Sequence, residues 1–428
     1  MGKHEANALE AIVAAVGEAP REVAEKIEHG TPAFWRTNFA LFAAGFATFA
    51  LLYCVQPLMP LFSADFGISA AGASLALSLT TGLLAVSMLA AGGLSEAVGR
   101  KPIMVASLLL SATLTVICAV LPHWSTLLVV RALMGVALSG LPAVAMAYVG
   151  EEMHPRSLGR AMGLYVGGTG LGGMAGRLLT GVITDTWGWR AAVLAMGVLG
   201  IVSAAVLWRF LPASRHFVRR ELRFAPLARA FGTHLRDGVL PLLFVEGFLL
   251  MGSFVTVYNY VGYRLIAPPF SLSQTEIGLI FAVYLFGVVS SAWAGSLSGK
   301  LGREAVLPAT LMLMLAGTAM TLSDRLWLIV AGVAVLTIGL FGTHSVVSAW
   351  VGARAQTSRA QASSLYLFAY YLGSSVVGSL GGMFWSLRGW LGVVCMASAL
   401  LLLALVIALR LYVLSTRCRA SSEASSQA

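Results

Sequence analysis

Twelve mostly apolar stretches, each long enough to cross a bilayer, dominate this sequence. They fall near residues 38–62, 72–94, 103–121, 126–149, 161–184 and 190–212, and then near 239–262, 276–297, 305–323, 327–350, 361–385 and 391–412. A helix rises about 1.5 Å per residue, so roughly 20 residues cross about 30 Å of hydrocarbon. Twelve such helices use nearly the whole apolar supply of a 428-residue chain that is 58% apolar. Only 11% of the residues are charged, against about 25% in a soluble domain. A soluble enzyme, a disordered protein and a nucleic-acid-binding domain are all excluded. The expected fold is all-α and polytopic.

The basic residues orient it. The longest interior polar stretch, 213–238, carries Arg215, Arg219, Arg220, Arg223, Arg229 and Arg236, and it separates six spans from six. With both termini inside, every Lys and Arg of the 28 is inside except Arg131 and Arg177, within spans, and Arg190, Arg264, Arg325 and Arg388, outside. The positive-inside rule selects that orientation. The net charge of +10 is therefore a topology and lipid-surface signal rather than a nucleic-acid footprint. The expected parts are a cytoplasmic segment 1–36, bundles 37–212 and 239–412, the basic loop 213–238 and a tail 413–428. Residues 1–36 hold scattered glutamates and no continuous apolar core, unlike a secretory signal. Leu9, Ile12, Val13, Val16, Val23 and Ile27 suit a short amphipathic helix outside the membrane. Cys54, Cys118, Cys395 and Cys418 are scattered without metal-ligand spacing, so no metal site is expected.

An internal repeat joins the halves. Gly92, Leu94, Ser95, Gly99 and Arg100 recur as Gly295, Leu297, Ser298, Gly302 and Arg303. Tyr165, Gly167, Gly172 and Gly176 of span 5 recur as Tyr371, Gly373, Gly378 and Gly382 of span 11, and Gly188-Trp189 recurs as Gly389-Trp390. Three matches in register mean a duplicated six-helix unit.

The loop from Gly92 to Lys101 resembles the signature of the major facilitator superfamily, G-x-L-[AS]-[DE]-x-x-G-R-[KR], with Glu96 at its acidic position. Arg131 and Gly135 resemble the family's R-x-x-x-G motif, and Glu152, Pro155 and Arg160 continue in the family's manner. Gly168, Gly172 and Gly176 resemble the antiporter motif G-x-x-x-G-P-x-x-G, but Gly173 stands where proline is usual. The segments Leu51–Pro57, Phe248–Phe254 and Gln361–Phe368 look close to the YnfM-type bacterial branch, among the drug:proton-antiporter-like members. The resemblance covers about residues 36–412. It implies two pseudo-symmetric bundles of inverted three-helix repeats, alternating access, a bacterial inner-membrane location and action as a monomer. It also implies that Gly92, Glu96, Gly99, Arg100 and Lys101 form a cytoplasmic latch with Glu96 as acidic partner. Its weaker counterpart is Gly295, Gly302 and Arg303, where Gly299 replaces the acid and Glu304 the final base. Arg100 and Lys101 can also serve topology alone. The glycines at 168, 172, 176, 378 and 382 allow close helix packing.

Charges inside spans are functional hypotheses by default, because burying one costs roughly 2.5–3.5 kcal/mol on insertion scales. Glu246 is the carboxylate clearly inside an apolar run. Away from water a carboxyl takes up a proton more readily, which suits a group that alternately binds and releases one. His344 and Arg131 complete the expected proton-coupling set. Each has a bland alternative: an ion pair or a vestibule position for Glu246, a satisfied hydrogen bond for His344, packing for Arg131. Tyr53, Gln56, Arg177, Tyr258, Asn259, Tyr366 and Tyr370 are the expected substrate contacts, with Tyr371 beside them. Rings and amides suit an amphipathic or aromatic solute, and the two intramembrane arginines favour an anionic or zwitterionic one. Arg177 could instead pair with Asp185. Trp35, Trp124, Trp187 and Trp390 read as interfacial belt residues. No hydrolase or nucleotide-binding motif appears, so no cofactor is expected and the energy must come from an ion or solute gradient, the proton first. The favoured function is proton-coupled export of a small organic compound. The alternative is a uniporter or proton symporter that imports an organic acid or nutrient.

Overall fold

The computed structural model describes residues 26–217 and 224–427, and among them it is helical apart from one isolated bridge between Ile27 and Met153. The first half comprises α1 (Pro32–Tyr53), α2 (Met59–Phe66), α3 (Ala70–Val98), α4 (Arg100–Cys118), α5 (Trp124–Leu138), α6 (Pro142–Glu152) and α7 (Pro155–Phe210). After α8 (Phe224–Leu235) the second half runs through α9 (Leu240–Ile266), α10 (Gln274–Ile280), a 3₁₀ turn and α11 (Tyr284–Leu301). It ends with α12 (Arg303–Met320), α13 (Leu326–Arg354) and α14 (Arg359–Gln427).

Eight helical runs among the described residues are long and apolar enough to cross a membrane. Two of them, at 56 and 55 residues, have about twice the necessary length. α7 is two helices joined at Gly188 (φ 78°), and α14 is two joined at Arg388 and Gly389 (φ 56° at the glycine). Left-handed backbone of this kind is glycine's territory. The repeated Gly-Trp pairs are thus the turns between the fifth and sixth, and the eleventh and twelfth, crossings. With α1 and α12, of 22 and 18 residues, the described residues account for twelve crossings.

Three spans differ from their sequence outlines. The first ends at Tyr53 rather than running to 62, because Pro57 cannot continue the ladder, and residues 54–58 turn before α2. The fourth breaks after Leu138 and resumes at Pro142. The eighth passes through the 3₁₀ turn Phe281–Val283. The central basic stretch also holds a helix, α8, whose His234 ring lies 3.1 Å from the Ser358 carbonyl. Of the N-terminal amphipathic pattern, all but Ile27 lies outside the described residues, as do Arg219, Arg220 and Arg223. Ile27 itself is hydrogen-bonded on both sides to the link between α6 and α7.

Small residues set the packing. Gly168, Gly172 and Gly176 of α7 lie one helical turn apart against Phe42, Phe46 and Ala50 of α1. A Cβ on Gly172 or Gly176 would stand 2.6 Å from the Cα of Phe46 or Ala50. In the second half Gly373 lies against Phe248, and Gly378 against Val255 and Asn259. Gly382 works differently: it meets Ala71 of α3, across the seam between the halves.

Among the described residues that seam is closed at one end. α3 meets α14 where Ser375 donates to the Ser78 carbonyl (2.6 Å) and Gly82 faces Ser375. α7 meets α10 where Gly181 abuts Gln274, and Gly170 faces Val288 of α11. Continuing along the same faces toward the motif loops, Gly92, Gly167, Gly163 and Gly159 have open space. The halves therefore diverge toward the face that carries the 99–100 and 302–303 loops. Of the four belt tryptophans, Trp35 and Trp187 are exposed, but Trp390 is buried and donates to the Thr321 carbonyl at 2.9 Å. It ties the last turn to α12 instead of anchoring in lipid. Trp124 is half-buried against Phe62 and Phe66.

Candidate functional site

Two polar clusters occupy different depths. The deeper one centres on Arg177, which is fully buried in α7. Its Nη1 donates to the Gly173 carbonyl one turn earlier (2.5 Å), and its Nε donates to Gln56 Oε1 (2.6 Å). Gln56 then donates from Nε2 to Asn259 Oδ1 of α9 (2.7 Å), which crosses the seam. The guanidinium carbon lies 4.2 Å from the Tyr53 ring centre, 4.7 Å from Tyr284, 5.3 Å from Phe281 and 5.9 Å from Tyr258. Tyr258 is held in turn by Thr337, hydroxyl to hydroxyl, at 2.6 Å. Arg177 Nη2 and Asn259 Nδ2 are buried without hydrogen-bond partners.

Arg177 does not pair with Asp185. That carboxylate instead accepts the N–H groups of Gln274 (3.1 Å) and Thr275 (2.7 Å) at the start of α10. An anion suits these unpaired helix-terminal donors.

The second cluster lies nearer the open end. Glu246 is completely buried in α9, and both carboxylate oxygens lack a hydrogen-bond partner. Asn259 lies on the same helix thirteen residues later, so the clusters stand about 20 Å apart along its axis. On α14, Tyr366 packs on Gly247 beside Glu246 and places its hydroxyl 2.8 Å from His344 Nδ1 of α13. The Tyr370 ring is 4.7 Å from the His344 ring. Tyr370 lies within electrostatic reach of Tyr366, Tyr371, Tyr53 and Tyr284. Tyrosines thus line the interval between the clusters.

Arg131 belongs to neither. It is buried in α5 and donates from Nε to the Ala76 carbonyl (2.8 Å), from Nη1 to Leu51 (3.2 Å) and from Nη2 to Leu52 (3.0 Å). The last two are carbonyls in the final turn of α1, where the backbone ladder ends; Leu51 also accepts from the Cys54 thiol at 3.3 Å. Gly135, one turn on, abuts the Thr80 carbonyl of α3, so the R-x-x-x-G pair fastens three helices.

The signature loop also differs from expectation. Arg100 pairs two-pronged with Glu151 (Nη2–Oε1 2.7 Å, Nε–Oε2 3.2 Å), while Glu96 stands 3.9 Å away. Lys101 donates to the Leu211 carbonyl at 2.6 Å. All these contacts stay within the first half. Gly99 (φ 120°) and Gly302 (φ 89°) are the turns between spans, and Ser95 and Ser298 donate alike to Gly92 and Gly295. Gly92 makes no close approach here. Glu304 replaces the second base and folds over Gly302. In the second half the comparable tie is Arg354 to Asp237 (3.0 Å). Partial burial works against the Asp237 charge. The Arg354 hydrogen bond and the Leu240 and Val239 N–H groups outweigh it and hold this carboxyl below its ordinary range.

Sequence reasoning named Tyr53, Gln56, Arg177, Tyr258 and Asn259, which the fold brings together, and Glu246, His344, Tyr366 and Tyr370, which form the other group. It missed Phe281 and Tyr284 of the cage, Thr337 and Glu151. The signal available for the cage was two aromatics near the break in the eighth span.

Residues 41–265 and again 247–427 match the profile of the Major Facilitator Superfamily. The chain is 49% identical to the inner membrane transport protein YnfM of Escherichia coli (strain K12) over 386 residues, 90% of this chain and 93% of that protein. It is 48% identical to the uncharacterized MFS-type transporter YybF of Bacillus subtilis (strain 168) over 379 residues, 89% of this chain and 94% of that one. Among solved structures, it resembles a bacterial homologue of the human lysosomal transporter Spinster, inward-facing and unoccupied (TM-score 0.73, 16% identity, 91% of this chain and 98% of that one). The human organic anion transporter MFSD10 has the same fold (TM-score 0.69, 16% identity, 88% and 100% covered). The chain belongs to the Major Facilitator Superfamily. It is a secondary transporter of a small molecule, embedded in the membrane, and not an enzyme.

Proposed function

We propose that the protein exports a small anionic or zwitterionic organic solute from the bacterial cytoplasm in exchange for protons. Both termini and the open end of the seam then face the cytoplasm of an inner membrane, and one copy suffices. The reading rests above all on Glu246, a fully buried carboxyl with neither oxygen hydrogen-bonded. A bare charge in that setting costs several kcal/mol, and a bound proton removes the cost. His344 and Tyr366 stand beside it as the adjoining hydrogen-bonding pair. A carrier needs a group whose charge state changes as access alternates, and among the described residues Glu246 is the buried carboxyl with no ion-pair or hydrogen-bond partner.

Inside-out vesicles energised to acidify their interior provide the test, read with a pH-sensitive dye. Organic anions, zwitterions and hydrophobic cations are added in turn to wild type and to Glu246→Gln. Dequenching by one class in wild type, abolished by the substitution, is the expected result. Equal dequenching in both proteins sinks the role of Glu246. Proton movement in the same direction as solute replaces export with symport.

A further inference from the structure

Taking the transporter reading as given, we propose that Arg177 is the receptor for an aromatic carboxylate, and that binding opens the closed end of the seam by taking Arg177 away from Gln56. Nε and Nη2 of an arginine lie on one edge and form a fork that matches a carboxylate. On Arg177 that edge is half used: Nε holds the neutral amide oxygen of Gln56, and Nη2 has no hydrogen-bond partner in close geometry, the Tyr284 side chain being the other group that interacts with the guanidinium. The side chain is fully buried, with no carboxylate in ion-pair range among the described residues. Nη1, on the opposite side, is anchored by the Gly173 carbonyl and keeps the group in place.

Arg131 supplies the contrast. It too is buried, yet its Nε, Nη1 and Nη2 each reach a carbonyl. A buried cation with an open fork edge is a binding site, and one whose nitrogens are all engaged is a tie.

A carboxylate on this edge replaces one bond to a neutral acceptor with two charge-assisted ones, each about twice as strong. The Tyr53 and Tyr284 rings stand 4.2 and 4.7 Å from the guanidinium carbon, so a carboxylate held on the fork would bring its aromatic body beside aromatic side chains. Tyr370 continues that surface toward the open end. Losing Arg177 also frees Gln56, whose other bond crosses the seam to Asn259. The ligand does not take the seam bond itself; it removes the partner that orients the Gln56 amide for that bond, so a bound solute weakens closure through Gln56 and favours separation at this end.

The test uses purified full-length protein with its native cysteines replaced and spin labels at His123 and Arg325. These sit on loops of opposite halves at the closed end. Distances are read by double electron–electron resonance with benzoate, phenylacetate or indole-3-acetate, and with the neutral amide of each. Binding is read separately by thermal stabilisation. A carboxylate, but not its amide, should lengthen the distance. Arg177→Gln should lose the effect, and Arg177→Lys, which keeps the charge without the fork, should bind at least tenfold more weakly. Gln56→Leu should show the longer distance without ligand and still bind the carboxylate. The proposal is overturned if no carboxylate stabilises the protein, if Arg177→Gln responds as wild type does, or if binding leaves the distance unchanged. Glu246→Gln should keep the carboxylate-driven opening, so a failure of the proton reading and a failure of this one are separately visible.

Discussion

At the scale of single residues, two buried arginines with similar sequence surroundings have different fates. Arg131 and Arg177 both interrupt apolar runs, and composition cannot tell them apart. Their partners can: carbonyls for one, an aromatic cage and an amide for the other. Leu51 and Leu52 are at the end of α1, where helix carbonyls have no backbone partner one turn on, and Arg131 supplies a donor from α5. Replacing Arg131 with Met leaves the Leu52 carbonyl without its donor, at about 1–3 kcal/mol, while Leu51 keeps the Cys54 thiol and Ala76 the Thr80 hydroxyl. The expected outcome is a lower unfolding midpoint and reduced folded yield, with the pH profile of the remaining transport unchanged. A shifted pH profile at normal stability would return Arg131 to the proton-coupling set.

Among helices, the dominant device is close approach at glycine. The stripe at Gly168, Gly172 and Gly176 places α7 on α1 along three turns and thereby carries Arg177 to the end of α1, where Gln56 waits. Gly172→Ala puts a methyl against the Phe46 backbone, which a side-chain rotation cannot relieve. Overpacking of this kind costs about 1–3 kcal/mol. A fall in the thermal midpoint for Gly172→Ala, with none for Gly167→Ala in open space, is the result to look for. These helices were legible from the sequence because span length, repeat register and small-residue spacing are local properties. So were most members of the two clusters, as polar or aromatic residues out of place in apolar runs. The pairings were not. Arg177 to Gln56 spans 121 positions and Gln56 to Asn259 spans 203, and no periodicity encodes contacts between helices so far apart. The break at Tyr53 was half-visible, since Pro57 marks a stop but not how early the ladder ends.

For the molecule as a whole, the question is what holds one end of the seam shut. Gly382 on Ala71, Ser375 on Ser78, Gln56 on Asn259 and Asp185 on the start of α10 all lie at that end. Among the described residues none has a counterpart at the end where Gly92 and Gly163 face open space. Motion between the two access states must break the first set and bring the motif-loop ends together. Asp185 is the charged member, accepting two N–H groups across the seam. Charge-assisted hydrogen bonds contribute about 1.5–3 kcal/mol. Asp185 is exposed, so solvent screening reduces that contribution to about 1 kcal/mol, and Asp185→Ala moves the equilibrium severalfold toward the state open at this end, since about 1.4 kcal/mol corresponds to a factor of ten. Spin labels at positions 123 and 325 should report a larger long-distance population in Asp185→Ala without ligand. Asp185→Asn, which keeps an acceptor but not the charge, should fall between it and wild type. An unchanged distribution in both would mean that the closure rests on the remaining set, the Ser375–Ser78 and Gln56–Asn259 hydrogen bonds and the packing at Gly382 and Gly181. The arginine fork, which acts through Gln56, would then work on one of the bonds that carry the closure.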